Sequence, residues 1–205
     1  MVDKICDKLM TRVKAKMPEV NQERAEIIRY GFELLIGEVP KMFFVLILAI
    51  LLGKLKYFVI SVIIIGLYRT FSGGVHMRTH IECFIATTSL YLGNVYISEL
   101  LEFPNIYIKL IFAILIYIFG ITMIILYAPA DTDTVPMLIK KERKQKRNIS
   151  IVIATVSIML SFIVRDNTIS NICLLGIFLQ TLTITKFTYK ICRAKFGYLE
   201  YIKSL

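Results

Sequence analysis

Charged residues are scarce in this sequence, and it lacks cysteine pairs, internal repeats and low-complexity linkers. Only 20% of the residues are charged, whereas soluble domains have about 25%. The cysteines (Cys6, Cys83, Cys173 and Cys192) include no CxxC pair, which excludes a secreted disulfide scaffold and fits a reducing compartment. The basic N-terminus has no continuous apolar run behind it, so we expect no cleavable signal peptide.

Hydrophobic residues dominate what is present. They make up 57% of the 205 residues, and the mean hydropathy is +0.68. They are gathered in blocks with the charges between them, which excludes a disordered chain and a coiled coil and predicts a polytopic membrane protein. A net charge of +10 on so apolar a chain favours a bilayer with anionic lipids over nucleic acid, which we do not expect as a partner.

Six apolar blocks follow the N-terminal region. Spanning the hydrocarbon core takes about 20 residues, and only the fourth block reaches that length without its flanks. We therefore predict an all-α integral membrane protein with about six transmembrane or re-entrant helices, the second and third blocks being tilted or re-entrant. The blocks are 39–52, 57–68, 83–97, 105–128, 149–164 and 171–185.

The N-terminal region has a different, amphipathic pattern. Apolar residues recur at helical spacing over residues 2–17, and lysines fill the other face, which predicts a helix lying in the membrane interface. Asn21 is the predicted N-cap of a second helix running toward Gly37. The expected organisation is a single domain over 1–205, with interfacial helices at 1–37, a membrane core at 38–185 and a basic tail at 186–205.

The distribution of Lys and Arg predicts the orientation of the chain. If the segments between the blocks lie alternately on the two sides of the membrane, one side has twenty Lys and Arg residues and the other has three. Lys41 and Lys109 lie inside the ends of spans and are not counted. Cytoplasmic segments carry the excess of basic residues. We therefore expect both termini and the loops 69–82 and 129–148 in the cytoplasm of a bacterial cell, with the chain crossing the cell membrane several times.

The stretch from 69 to 83 holds both histidines of the chain and its Gly-Gly pair. Cys83 and a histidine are the residue types of a catalytic nucleophile and its base, because a nearby imidazole favours the thiolate form of cysteine. His80 would neighbour Cys83 on a continuous helix, whereas His76 would lie about 10.5 Å away along its axis unless the chain bends. Gly73 and Gly74 supply a break. A Gly-Gly pair before a helix is more often a turn, but the backbone N–H groups of this pair could also stabilise an oxyanion.

Other interpretations of these residues stay open. Each cysteine is compatible with ordinary packing, and the arginines with interfacial anchoring. His76 and His80 have the spacing of a zinc-binding helix, completed by Glu82 or Cys83, which would make an intramembrane metalloprotease. A small six-span transporter or permease is a further alternative, with its pathway marked by Glu38, Lys41, Lys109 and Gln180.

The pattern Arg69-x3-Gly73-Gly74-x-His76-x6-Cys83 resembles the signature of accessory gene regulator B (AgrB) proteins. These are membrane-embedded cysteine endopeptidases of Gram-positive quorum sensing. The basic N-terminus, the six apolar blocks and the segment from Tyr127 to Thr132 before a basic loop are also similar to that family. The resemblance covers nearly the whole chain.

The resemblance implies a function and a set of site residues. Cys83 would be the nucleophile and His76 its general base, with Arg69, Gly73 and Gly74 supporting the site, so residues 76–83 would not form one straight helix. The substrate would be an AgrD-type propeptide with an acidic C-terminal tail. Cleavage through a Cys83 thioester would lead to a thiolactone or lactone ring. The reaction needs no cofactor and the active site would be cytoplasmic; a homodimer is an open expectation.

Overall fold

The structure is a computed structural model and describes residues 2–17, 19, 21–75, 77, 79–131, 137 and 139–198. Over these residues the chain is helical and has no strand, which confirms the predicted all-α class for the described part. The helices are α1 Val2–Lys16, α2 Gln22–Leu51, α3 Leu55–Ser72, α4 His80–Leu100, α5 Ile106–Tyr127, α6 Lys140–Ile163, α7 Asn167–Thr183 and α8 Lys186–Ile191.

Three of the described helices are long and apolar enough to cross a membrane. They are α3, α5 and α6, and α5 coincides with the one block that is predicted to span without its flanks. The other three blocks also lie in helices, in α2, α4 and α7. Six spans, the cytoplasmic termini and the interfacial position of α1 stay predictions.

Two compact units make up the chain, Met1–Gly53 and Lys54–Leu205. In the first, α1 packs against α2 and buries Cys6 and Met10. Asn21 is the N-cap of α2, as predicted, and its side chain accepts from the Arg24 amide at 2.9 Å. The helix does not end near Gly37 but continues through Pro40 to Leu51. Pro40 removes one N–H donor from the hydrogen-bond ladder of α2 but does not end the helix.

In the second unit, α7 is the central helix. It packs against α3, α4, α5 and α6, and most of its residues from Ser170 to Thr181 are buried. Polar side chains join it to its neighbours: Asn94 of α4 donates to Ser61 of α3 at 3.1 Å and to the Ile172 carbonyl at 3.3 Å. Such bonds satisfy polar groups that would otherwise be costly in an apolar interior.

Candidate active site

The Gly-Gly pair ends α3 and forms a tight backbone contact with a distant segment. Gly73 has φ +72° and ψ −154°, a conformation that only glycine adopts readily. The Ala130 amide donates to the Ser72 carbonyl at 2.8 Å, and the Gly74 amide donates to the Ala130 carbonyl at 2.9 Å. A Cβ on Gly73 would overlap the backbone of Ala130. Glycine is therefore required here both for its φ and for the close approach.

These contacts decide between the two interpretations of the glycines. The Gly73 amide donates to the Arg69 carbonyl at 2.9 Å, and the Gly74 amide donates to the Ala130 carbonyl. Both N–H groups are thus satisfied inside the protein and do not point to a ligand. The Gly-Gly pair is therefore a turn bonded to Ala130 and not an oxyanion hole.

Arg69 lies one turn before the end of α3 and bonds to both the loop and α7. Its Nη2 donates to the Val75 carbonyl at 2.7 Å, and Nη1 lies 3.4 Å from Gln180 Oε1 and 3.5 Å from Thr183 Oγ1. The guanidinium packs against Gly74, where a Cβ would come within 2.8 Å of Nη1. Arg69 thus fixes the loop to the end of α7 and is more than an interfacial anchor.

Gln180 completes this clamp from α7. Its side chain is fully buried, and Nε2 donates to the Gly73 carbonyl at 2.8 Å and lies 3.3 Å from Ser72 Oγ. Its oxygen faces Arg69, as above. The transporter alternative treats Gln180 as part of a transport pathway. In the structure, however, both the oxygen and the nitrogen of this side-chain amide form contacts that hold the loop at Gly73 and Gly74.

The nucleophile candidate lies on the first turn of α4. Thr79 is the N-cap of this helix, its hydroxyl accepts from the Glu82 amide at 3.2 Å, and Glu82 accepts from the Thr79 amide at 3.4 Å. Cys83 follows directly, with Sγ 4.0 Å from Thr87 Oγ1. A helix therefore begins at His80, and residues 76–83 are not one straight helix, as the family resemblance implies.

The two histidines cannot be compared in this geometry. His76 lies outside the described residues, and so does the side chain of His80, whose backbone starts α4. Among the described residues no three His, Cys, Asp or Glu side chains gather as a metal site. Neither imidazole belongs to the described residues, so the choice of base and the His76/His80 metal alternative stay predictions.

Cys83 and Arg69 line one cavity of about 310 Å³ in the second unit. Thr87 and Thr183 contribute further hydroxyl groups to its wall. Such a mixture, a thiol and a guanidinium in a mainly apolar cleft, can hold a peptide segment and limit the access of water to a reactive carbonyl. The apolar part of the wall includes Val75, Met77, Ala86, Leu90, Tyr91 and Leu179.

Asp131 anchors the segment that supports the glycine loop. Its Oδ2 accepts from Arg143 Nη1 at 2.9 Å and from the Met137 amide at 2.8 Å, and its side chain is only 6% exposed. Tyr189 of α8 donates its hydroxyl to the Asp131 carbonyl at 3.0 Å. Burial raises the pKa of Tyr189, so its phenol stays protonated and keeps this role as a donor.

Of the predicted site residues, Cys83 and Arg69 line one cavity and Gly74 packs against Arg69, but sequence reasoning missed the partners of the loop. Thr183 lies far along the chain and carries no motif of its own, and the family-like segment 127–132 gives no sign that its Ala130 contacts Gly73. The start of α4 could have been found, because Thr79 followed three residues later by Glu82 is a capping-box pattern.

Comparisons with known proteins point in one direction. The family model described as AgrB, accessory gene regulator B, matches residues 3–184. A protein named AgrB-like from Clostridium acetobutylicum is 22% identical over 205 residues, which cover 98% of this chain and 96% of that protein. The accessory gene regulator protein B of Staphylococcus aureus strain bovine RF122 is 26% identical over 157 residues, covering 77% and 80%. No solved structure matches the chain.

Proposed function

The chain belongs to the accessory gene regulator B family, and from this we propose that it is a membrane cysteine endopeptidase that processes a quorum-sensing propeptide. The substrate is an AgrD-type peptide, and the bond cleaved joins its signal segment to its acidic C-terminal tail. The enzyme acts in the cell membrane and presents Cys83 to the cytoplasm.

The reaction proceeds in two acyl transfers. His76 takes the proton of the Cys83 thiol while the sulfur attacks the carbonyl carbon at the end of the signal segment. The C–N bond breaks, the departing amine takes the proton from His76, and the signal segment stays on Cys83 as a thioester. An internal Cys or Ser of the peptide then attacks this thioester, which closes a thiolactone or lactone ring and returns the Cys83 thiol.

The observation that carries this proposal is the shared cavity of Cys83 and Arg69. Arg69 bonds to the carbonyl of Val75, the residue directly before His76. The same guanidinium is bonded to Gln180 of α7. Arg69 therefore fixes the position of the backbone just before His76. Arg69 acts as a positioning residue in this mechanism, and its charge favours anionic species in the cavity.

The apolar wall of the cavity suits the second transfer. A thioester that meets water is hydrolysed, and the signal peptide would then be released linear. Leu90, Tyr91 and Leu179 line the same cavity as Cys83, so a bound peptide segment displaces most of the remaining solvent. When water is excluded, the internal Cys or Ser of the peptide is the nucleophile that remains to attack the thioester.

The test compares Cys83→Ala with a matched Cys192→Ala variant, each reconstituted with the propeptide. We expect Cys83→Ala to abolish tail cleavage and the hydroxylamine-sensitive peptide adduct, both followed by mass spectrometry. Cys192 is partly exposed and lies outside the Cys83 cavity, so its loss should leave processing intact. Cleavage by Cys83→Ala, or activity lost to a chelator and restored by Zn²⁺, would refute the thiol mechanism.

A further inference from the structure

A second cavity, of about 300 Å³, lies at the end of α5 and the start of α6, away from Cys83. Four basic residues of α6 line it: Lys140, Arg143, Lys144 and Arg147. Their spacing of three or four residues places them on one face of the helix. The cavity is therefore a concentrated positive site within the second unit.

Among the residues that the structure describes, little negative charge compensates this site. Asp131 is the acidic residue of the lining, and it is already bonded to Arg143. Within the described residues Lys140 and Lys144 have no acidic partner. Ile139 at the N-cap has no side chain that could accept from the first-turn amides, and Glu142 in the first turn offsets only part of the positive end of the α6 dipole. Such an arrangement is stabilised by a bound anion.

The other wall of the cavity is apolar and continues the surface of α5. Ile125 and Leu126 line it and are 53% and 60% exposed. They belong to the last turn of a helix that is long and apolar enough to span a membrane. The basic turns of α6 extend about 10 Å before its apolar part, which is enough to cross a headgroup layer of about 5–8 Å.

We propose that this cavity binds the phosphate-bearing headgroup of an anionic membrane lipid, with the acyl chains along the exposed face of α5. The basic side chains neutralise the phosphate, and Ile125 and Leu126 contact the first methylene groups. Basic pockets between transmembrane helices recognise anionic lipids in this way. An acidic peptide would use the cations but would leave the membrane-facing apolar wall without a partner, so the lipid fits the whole cavity better.

The experiment measures lipid retention by native mass spectrometry of the full chain in detergent, with dioleoyl phosphatidylglycerol or phosphatidylcholine added. The variant is the pair Lys140→Gln and Lys144→Gln. The control is the pair Lys141→Gln and Lys146→Gln, which removes equal charge from the same helix but not from the cavity lining. We expect the cavity pair to weaken phosphatidylglycerol binding about tenfold or more, and the control pair about twofold or less.

Two further arms separate the lipid from other anions. Lys144→Arg keeps the charge and should bind phosphatidylglycerol like the unchanged chain, which also guards against a folding defect as the cause of any loss. Inorganic phosphate and a peptide of six glutamates serve as competitors and should displace the lipid poorly. Equal losses in the cavity and control pairs, no preference over phosphatidylcholine, or displacement by either competitor at the lipid's own concentration would overturn the proposal. None of these readouts depends on peptidase activity.

Discussion

Replacing Gly73 with alanine should damage the active site more than any other single-methyl addition to the glycines. The φ and ψ of Gly73 belong to a region that costs other residues about 1–3 kcal/mol. The new Cβ also overlaps the Ala130 backbone, so the two backbone hydrogen bonds of this bridge must break, at about 0.5–1.5 kcal/mol each. We expect a total destabilisation of the bridge of about 2–6 kcal/mol.

Two other glycines separate the causes of this effect. Gly53 has φ +68° but nothing within 4 Å of a new Cβ, so Gly53→Ala tests the conformational cost alone, about 1–2 kcal/mol. Gly93 lies inside α4 with open space and no positive φ, and alanine there should be neutral or slightly stabilising.

The assay combines the thermal transition of each purified variant with propeptide processing at a temperature where all three remain folded. Gly73→Ala should have the lowest transition and should lose most of its processing while folded, since a displaced loop moves Val75 and the His76 position. If Gly73→Ala matched Gly53→Ala in both stability and processing, the bridge to Ala130 would not support the site.

Two further predictions concern the base and the orientation of the chain. His76→Ala should stop formation of the thioester on Cys83, since loss of a general base typically lowers the rate by about 10²–10⁴. His80→Ala should keep substantial turnover. The thioester is measured by the mass of the trapped adduct, and the reverse result would assign the base to His80. In a chain whose native cysteines are replaced by alanine, an impermeant maleimide should label Asn167→Cys in intact cells but not Thr79→Cys. Labelling of Thr79→Cys from outside would contradict the cytoplasmic site.

Hydropathy alone predicted where helices lie, because a chain in a bilayer must satisfy its backbone within each segment. The boundary near Gly37 was wrong. Gly37 and Pro40 disfavour a helix interior, yet α2 continues through both to Leu51, so local propensity does not set the end of this helix.

The internal arrangement of the site could not be predicted from the sequence in the same way. The Gly-Gly pair indicated an unusual backbone, and Gly73 and Gly74 do have positive φ. The Gly73 amide bonds within its own helix, but the Gly74 amide meets Ala130, which is brought to the end of α3 by the packing of the second unit. The local pattern therefore predicts the break and the turn, but not the segment to which the turn is bonded.

The satisfied glycine amides bear on why the residue at position 69 is an arginine. With Gly73 and Gly74 N–H groups bonded internally, the guanidinium is the positive charge among the residues that line the Cys83 cavity. It must also reach the Val75 carbonyl and α7 at once. A lysine would keep the charge but not the planar set of donors that spans both partners. In the proposed mechanism this arginine would therefore join two tasks, fixing the loop before His76 and favouring anionic species beside Cys83, that a point charge could not perform together.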